Sequence, residues 1–129
     1  MAQRLTISDL VPLFNLRVLL RYDEKYQVNV AHCIETGSVV TADTEEEART
    51  MIKELLEDEI LFALTKRNLK NLFSSPAPLD VLVEWMKAAR VEKNREVVDL
   101  DVNLEQPERL NLETPNASVK NKVEFAKAA

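Results

Sequence analysis

The sequence predicts an α+β fold in which a three-stranded antiparallel sheet packs on one long helix. Two segments, at 14–22 and 26–30, show the period-2 pattern of half-buried strands, and a third short strand is predicted at 38–42. Behind them, residues 44–64 carry apolar side chains at helical spacing after an acidic first turn. A second, short helix and a candidate fourth strand are predicted farther along the chain.

Composition predicts one small domain with an appendage. The chain has 129 residues, of which 46% are apolar and 5% aromatic, so its core must rely on Leu, Val and Ile. Cys33 is the only cysteine and cannot form an internal disulfide, which favours a reducing compartment. The first ten residues lack the apolar segment of a signal peptide, and no run approaches the roughly 18 apolar residues of a membrane span. We therefore expect a cytoplasmic protein.

The net charge of −5 is unevenly distributed. Residues 43–64 contain eight acidic and two basic side chains, whereas residues 65–91 contain five basic and two acidic ones. An acidic helix of this kind either is a solvated surface or attracts a basic protein. Lys66, Arg67 and Lys70 could contact phosphate, but they lack the interleaved aromatic residues that would strengthen a nucleic-acid assignment.

The first two strands are predicted to form a tight hairpin. Phe14–Tyr22 carries apolar residues at its even positions, with Asn15, Arg17 and Arg21 on the other side, and the pattern resumes at Tyr26 after a glycine-free loop at 23–25. Placing all the apolar residues on one face selects a register that pairs Tyr22 with Tyr26, Leu20 with Val28 and Val18 with Val30.

Local signals define the next two elements. Gly37, the only glycine, is expected to supply a positive-φ turn before a third strand over Ser38–Ala42. Thr44 and Glu47 fit a capping box at the start of the helix. The predicted buried stripe of that helix consists of Ala48, Met51, Ile52, Leu55, Leu56, Ile60 and Ala63.

The rest of the chain carries weaker patterns. After Ser74–Pro78, a short helix is outlined by Leu79, Leu82, Val83 and Met86, with Trp85 beside that stripe. Alternation over 98–104 predicts a strand, and the polar remainder of 106–129 is expected to have little fixed structure. The predicted organisation is an N-terminal extension at 1–13, a domain at 14–91 and a largely flexible tail at 92–129 that contains this strand.

Several apolar residues are candidates for a partner or oligomer interface. The helix stripe broadens near residue 60, where it either enters the core or contacts a second subunit, and Trp85 either packs within its own subunit or anchors an interface. The strand at 98–104 either completes the domain's own sheet or pairs with a partner's edge. The candidates are Ile60, Leu61, Phe62, Leu64, Trp85, Val98, Leu100, Val102 and Leu104.

Two segments resemble the HicB-like antitoxin family. Residues 26–37 read YQVNVAHCIETG, and residues 41–48 read TADTEEEA, where the family has approximately aromatic-x-V-x-V/A-A-H-C-L-E…G and T-x-G-D-T-x-E-E-A. The resemblance covers 14–66, and the D-T-x-E-E-A segment is its moderately specific part. The sequence departs from the pattern at Ala42, where glycine is usual, and in its glycine-free hairpin turn.

The resemblance implies a partial RNase H-like fold, with three antiparallel strands on a helix and a later strand for which 98–104 is the candidate. It also implies inhibition of a small basic ribonuclease toxin, whose catalytic histidine such antitoxins block. Many members add a C-terminal DNA-binding segment, but residues 92–129 show neither a two-helix pattern nor a basic excess, so DNA binding is doubtful. The alternative is an orphan scaffold or dimerisation domain, and a homodimer or higher oligomer is expected.

The residues themselves indicate no enzyme. An RNase H-type nuclease needs carboxylates converging on two metal ions, with one inside the first strand, and Phe14–Tyr22 contains none. His32 and Cys33 are adjacent on a strand and must point to opposite faces, so they cannot act together. We expect His32 to be a hydrogen-bonded residue at the sheet margin, opposite Leu16. No catalytic residue, cofactor or metal ligand is predicted, and membrane association is not expected.

Overall fold

The computed structural model describes residues 5–6, 15–100, 102, 112–113 and 121–128. Its strands are β1 (Leu5–Thr6), β2 (Asn15–Asp23), β3 (Val28–Cys33), β4 (Val39–Ala42), β5 (Arg95–Leu100), β6 (Leu112–Glu113) and β7 (Asn121–Lys127). Its helices are α1 (Glu45–Thr65), α2 (Leu69–Leu72) and α3 (Leu79–Ala89), with a 3₁₀ turn at Glu92–Asn94 before β5.

The architecture is a five-stranded mixed sheet with one long and two shorter helices. The strand order is β4-β3-β2-β7-β5, and β1 pairs in parallel with β6 in a separate two-stranded sheet. Strands β2, β3 and β4 form an antiparallel meander, as the sequence predicted. The sheet is larger than predicted because β7 lies parallel to β2 and antiparallel to β5.

Helices cover both faces of the sheet. The main core joins α1 to one face and includes Leu16, Val18 and Leu20 of β2 with Val123 and Phe125 of β7. A smaller cluster on the other face joins α3 to Leu19 and Ala126, around Trp85. Strand β2 is therefore buried on both sides, and Leu16, Val18, Leu19 and Leu20 are each at most 1% exposed.

The predicted hairpin register is wrong. Leu20 lies opposite Ala31 instead of Val28, and Val18 lies opposite Cys33 instead of Val30. The loop has four residues instead of three, because the Asp23 carboxylate accepts hydrogen bonds from the backbone of Lys25 and Tyr26 at 3.0 and 3.2 Å. Gln27 takes the positive φ of 53° that a glycine would usually adopt. The alternating pattern gave the wrong register because apolar residues occupy both faces of β2.

The C-terminal part of the chain also corrects the prediction. Residues 121–127 were expected to lack fixed structure, yet they form β7 between β2 and β5. The strand predicted at 98–104 begins earlier, at Arg95, and ends at Leu100. It is an edge strand, so the strand that lies beside β2 is β7 and not 98–104.

Helix α1 agrees with its prediction in position and start. The Thr44 hydroxyl accepts a hydrogen bond from the Glu47 amide at 3.1 Å, which is the first half of the predicted capping box. Of the predicted stripe, Ala48, Ile52, Leu56, Ile60 and Ala63 are buried, while Met51 is 44% exposed. None of the helices described is long and apolar enough to cross a membrane.

Helix α3 buries only part of the predicted stripe, because Leu82 alone of its four residues packs against the Trp85 cluster. Trp85 and Ala88 face the sheet, whereas Leu79, Val83 and Met86 are 74%, 42% and 50% exposed. Apolar residues occur all around this helix, so spacing alone could not select the buried side. The outcome is an exposed apolar stripe on α3.

Candidate protein-binding surfaces

The side of α1 opposite the core carries acidic and apolar groups together. Glu47, Met51, Glu54, Asp58 and Phe62 are all exposed and recur at three- and four-residue intervals, so they lie on one side of the helix. We call these five residues the α1 outward face. Within the described residues, no ion pair engages its three carboxylates, and Phe62 is 64% exposed.

A cleft of about 430 Å³ continues this face towards α2. Asp58, Glu59 and Phe62 line its α1 side, and Asn68 and Asn71 line the other. Both oxygens of the Glu59 carboxylate accept from the Ser38 hydroxyl, at 2.7 and 2.9 Å, so this acid is held in place. The Lys66 ammonium lies 6.0 Å from the centroid of the Phe62 ring, which shows that a cation can reach the ring face.

The predicted interface residues of α1 and α3 separate into buried and exposed ones. Ile60 and Leu64 are 0% and 3% exposed in the main core, and Trp85 is 8% exposed in the α3 cluster. These three pack within their own subunit, which was one of the two alternatives for each. Leu61 is half-buried, and Phe62 projects outward.

The predicted interface residues of the later strand that the structure describes face the protein's own core. Leu100 is buried, and Val98 and Val102 are half-buried against the main core, while Leu104 lies outside the described residues. Val97, which points the other way, is 56% exposed. The strand thus completes the domain's own sheet through β7.

The loop between β3 and β4 is fixed by several polar contacts. Glu35 accepts from the backbone amide of Arg17 at 2.7 Å and from its guanidinium at 2.6 Å. The same guanidinium lies 5.5 Å from the centroid of the Trp85 ring. Gly37 has the predicted positive φ, at 77°, and its backbone faces the carbonyl of Ser75. These contacts tie the loop to β2, to α3 and to the segment before α3.

His32 and Cys33 point to opposite faces of the sheet, as predicted, but His32 lies opposite Leu19 instead of Leu16. It is therefore on the α3 side, where burial and the nearby Arg21 lower the pKa of His32 and Asp80 partly offsets them. Cys33 is fully buried in the main core, and this burial raises the pKa of its thiol to about 11. Because the two side chains lie on opposite faces, they cannot form a nucleophile–base pair, and the thiol of Cys33 is shielded and protonated.

The buried thiol gives a direct test of this packing. Cys33 should react with Ellman's reagent at least roughly 100-fold more slowly in the native protein than in urea, because the thiol is shielded and protonated until the core opens. Stopped-flow absorbance measures both rates. Equal rates would show that Cys33 is on the surface.

The structure adds Met51 and the α1–α2 cleft to the candidate site, which sequence reasoning missed. Apolar residues at 48, 51, 52 and 55 recur at helical spacing, so the sequence pattern places Met51 in the buried stripe. Only the packing of the helix shows that its side chain is exposed.

The part of the chain that the structure describes contains no cluster of three His, Cys, Asp or Glu side chains able to hold a metal ion. Comparisons with protein-family models, with curated proteins and with solved structures found no match.

Proposed function

We propose that the protein is a HicB-like antitoxin, a non-catalytic cytoplasmic inhibitor that binds a small basic ribonuclease. The observation that carries this proposal is the α1 outward face, where three unpaired carboxylates surround two exposed apolar side chains. Carboxylates select a basic partner and accelerate encounter, while exposed Met and Phe side chains supply the apolar contact that holds it.

The arrangement of the strands supports the same proposal. Three antiparallel strands are followed by a long helix, and β7 then lies parallel to β2. This order agrees with the partial RNase H-like fold that the resemblance implies. The D-T-x-E-E-A segment that carries the resemblance spans the start of α1, so the resemblance and the candidate surface share one element.

The cleft beside Phe62 suggests how the partner is held. A Lys or Arg side chain entering it would meet the carboxylates of Asp58 and Glu59 and could stack on the Phe62 ring. The amides of Asn68 and Asn71 offer additional hydrogen bonds on the opposite wall. Partial enclosure strengthens such contacts relative to a pair fully exposed to water.

The test requires a neighbouring reading frame that encodes a small basic protein, and it measures whether that protein co-purifies with this chain. The double variant Glu54→Lys/Asp58→Lys should bind at least roughly 100-fold more weakly, because two attractive contacts become repulsive. Phe62→Ala should weaken binding roughly 30-fold if its ring is an interface anchor. Isothermal titration calorimetry measures each affinity.

The matched control is Glu24→Lys/Glu92→Lys, which makes the same charge change at exposed positions away from α1. It should retain binding within roughly threefold. The proposal fails if the wild-type protein does not bind this neighbour. Equal loss in the control would mean that total charge, and not the α1 outward face, governs binding.

A further inference from the structure

The exposed apolar stripe on α3 has the spacing of a coiled-coil seam. Leu79, Val83, Met86 and Arg90 follow one another at intervals of four, three and four residues, which places them along one side of the helix. The three apolar members are between 42% and 74% exposed. The opposite side of α3 is already occupied, because Trp85 and Ala88 pack on the sheet.

The stripe borders a groove that suits an inserted side chain. The groove is lined by Asp80, Val83, Glu84 and Lys87, with Leu79 at its end, and has a volume of about 440 Å³. Residues at i, i+3, i+4 and i+7 form the hole that receives a knob in helix–helix packing. The face of α3 therefore offers both a protruding apolar stripe and an adjacent hole.

The charges beside the stripe of one copy can pair with those beside the stripe of a second copy. Asp80 and Lys87 are seven residues apart, so both flank the same edge of the stripe, symmetrically about Val83 and Glu84. In an antiparallel pair of α3 helices related by a two-fold axis, Asp80 of each copy faces Lys87 of the other. Both side chains are exposed, and within the described residues neither forms an ion pair.

We infer that the α3 stripe is a homodimer interface, in which two copies of this chain pack their α3 helices antiparallel about Val83. This inference does not rest on the proposed inhibitory function. Because α3 has only 11 residues, the contact is at the small end of specific interfaces and gives a dimer that forms reversibly with concentration. Helix α1 covers the other face of the sheet, so both α1 outward faces remain accessible in the dimer.

Analytical ultracentrifugation over a roughly hundredfold concentration range tests the interface. The wild-type protein should show a reversible monomer–dimer equilibrium, and Val83→Glu should remove the dimer because it places two carboxylates together at the two-fold axis. Met51→Glu, an equal change on an exposed residue of α1, should leave dimerisation unchanged. A wild-type protein that is monomeric throughout would overturn the inference, as would Val83→Glu and Met51→Glu dimerising alike.

A charge exchange tests the antiparallel arrangement. Asp80→Lys and Lys87→Asp should each weaken self-association roughly tenfold, because like charges then face each other. Their equimolar mixture should recover the wild-type affinity, since every facing pair is again opposite in charge. Circular dichroism checks that each variant is folded. A mixture that self-associates as weakly as the single variants would contradict this arrangement. Binding of the basic partner is measured separately, on Val83→Glu, so that loss of dimerisation and failure of the proposed function give different results.

Discussion

Removing residues 121–129 is expected to leave the protein unable to fold. Strand β7 lies between β2 and β5 and bonds to both, so its loss separates β5 from the rest of the sheet. It also removes Val123, Phe125 and Ala126, each at most 1% exposed, from the two cores. At about 1.5–3 kcal/mol for each large buried side chain, in addition to the lost backbone bonds, the deficit is comparable to the whole stability of a small domain.

Far-UV circular dichroism and Trp85 fluorescence in urea measure this effect. Phe125→Ala tests the same strand more finely and should lower the free energy of unfolding by about 3–5 kcal/mol. Its control is Lys122→Ala, an exposed position of the same strand, which should change that free energy by less than about 0.5 kcal/mol. A truncated protein with native stability would mean that β7 is not part of the sheet.

The second large effect is expected at Gly37. A Cβ atom built there would lie 2.0 Å from the carbonyl oxygen of Ser75, and the φ of 77° disfavours any side chain. Gly37→Ala must therefore displace the segment that donates the Ala77 amide to the Ile34 carbonyl at 2.9 Å. About 1–2 kcal/mol of backbone strain plus about 1 kcal/mol for a weakened hydrogen bond predicts a loss of about 2–3 kcal/mol.

Thermal unfolding should show this loss as a fall in Tm of about 10 °C. Ser75→Ala is the control, because it changes the side chain but keeps the carbonyl that opposes Gly37. It should shift Tm by no more than about 2 °C. An unchanged Tm in Gly37→Ala would show that the loop and the Ser75 segment are not in contact.

Part of this fold follows from local signals that can be read in the sequence. Gly37 and Thr44 act within a few residues of the chain, so the turn and the start of α1 were predicted correctly. The β2–β3 register was not, because Leu19 is buried beside Leu16, Val18 and Leu20 and the alternating pattern cannot distinguish one face from the other. Register here depends on the Asp23 loop and on both helices.

The C-terminal strand and the candidate surfaces depend on tertiary structure. The only sequence signal for β7 is Val123 and Phe125 alternating with charged residues, which is too short to be separated from a polar tail. The exposed sides of α1 and α3 could not be identified from apolar spacing, because both helices carry apolar residues on more than one side. Phe62 was an interface candidate from the sequence, but the cleft beside it exists only because α2 packs against α1, which the sequence pattern does not show.

Under the proposed function, this chain inhibits a small basic ribonuclease and does not cleave RNA itself. RNA cleavage by a small basic protein from a neighbouring reading frame, measured while this protein is titrated into the reaction, tests this inhibition. We expect cleavage to stop at one chain per ribonuclease, the protein alone to leave RNA intact, and the Glu54→Lys/Asp58→Lys variant to inhibit only at a large excess. Undiminished cleavage at an excess of the wild-type protein, or cleavage of RNA by this protein alone, would contradict the proposed function.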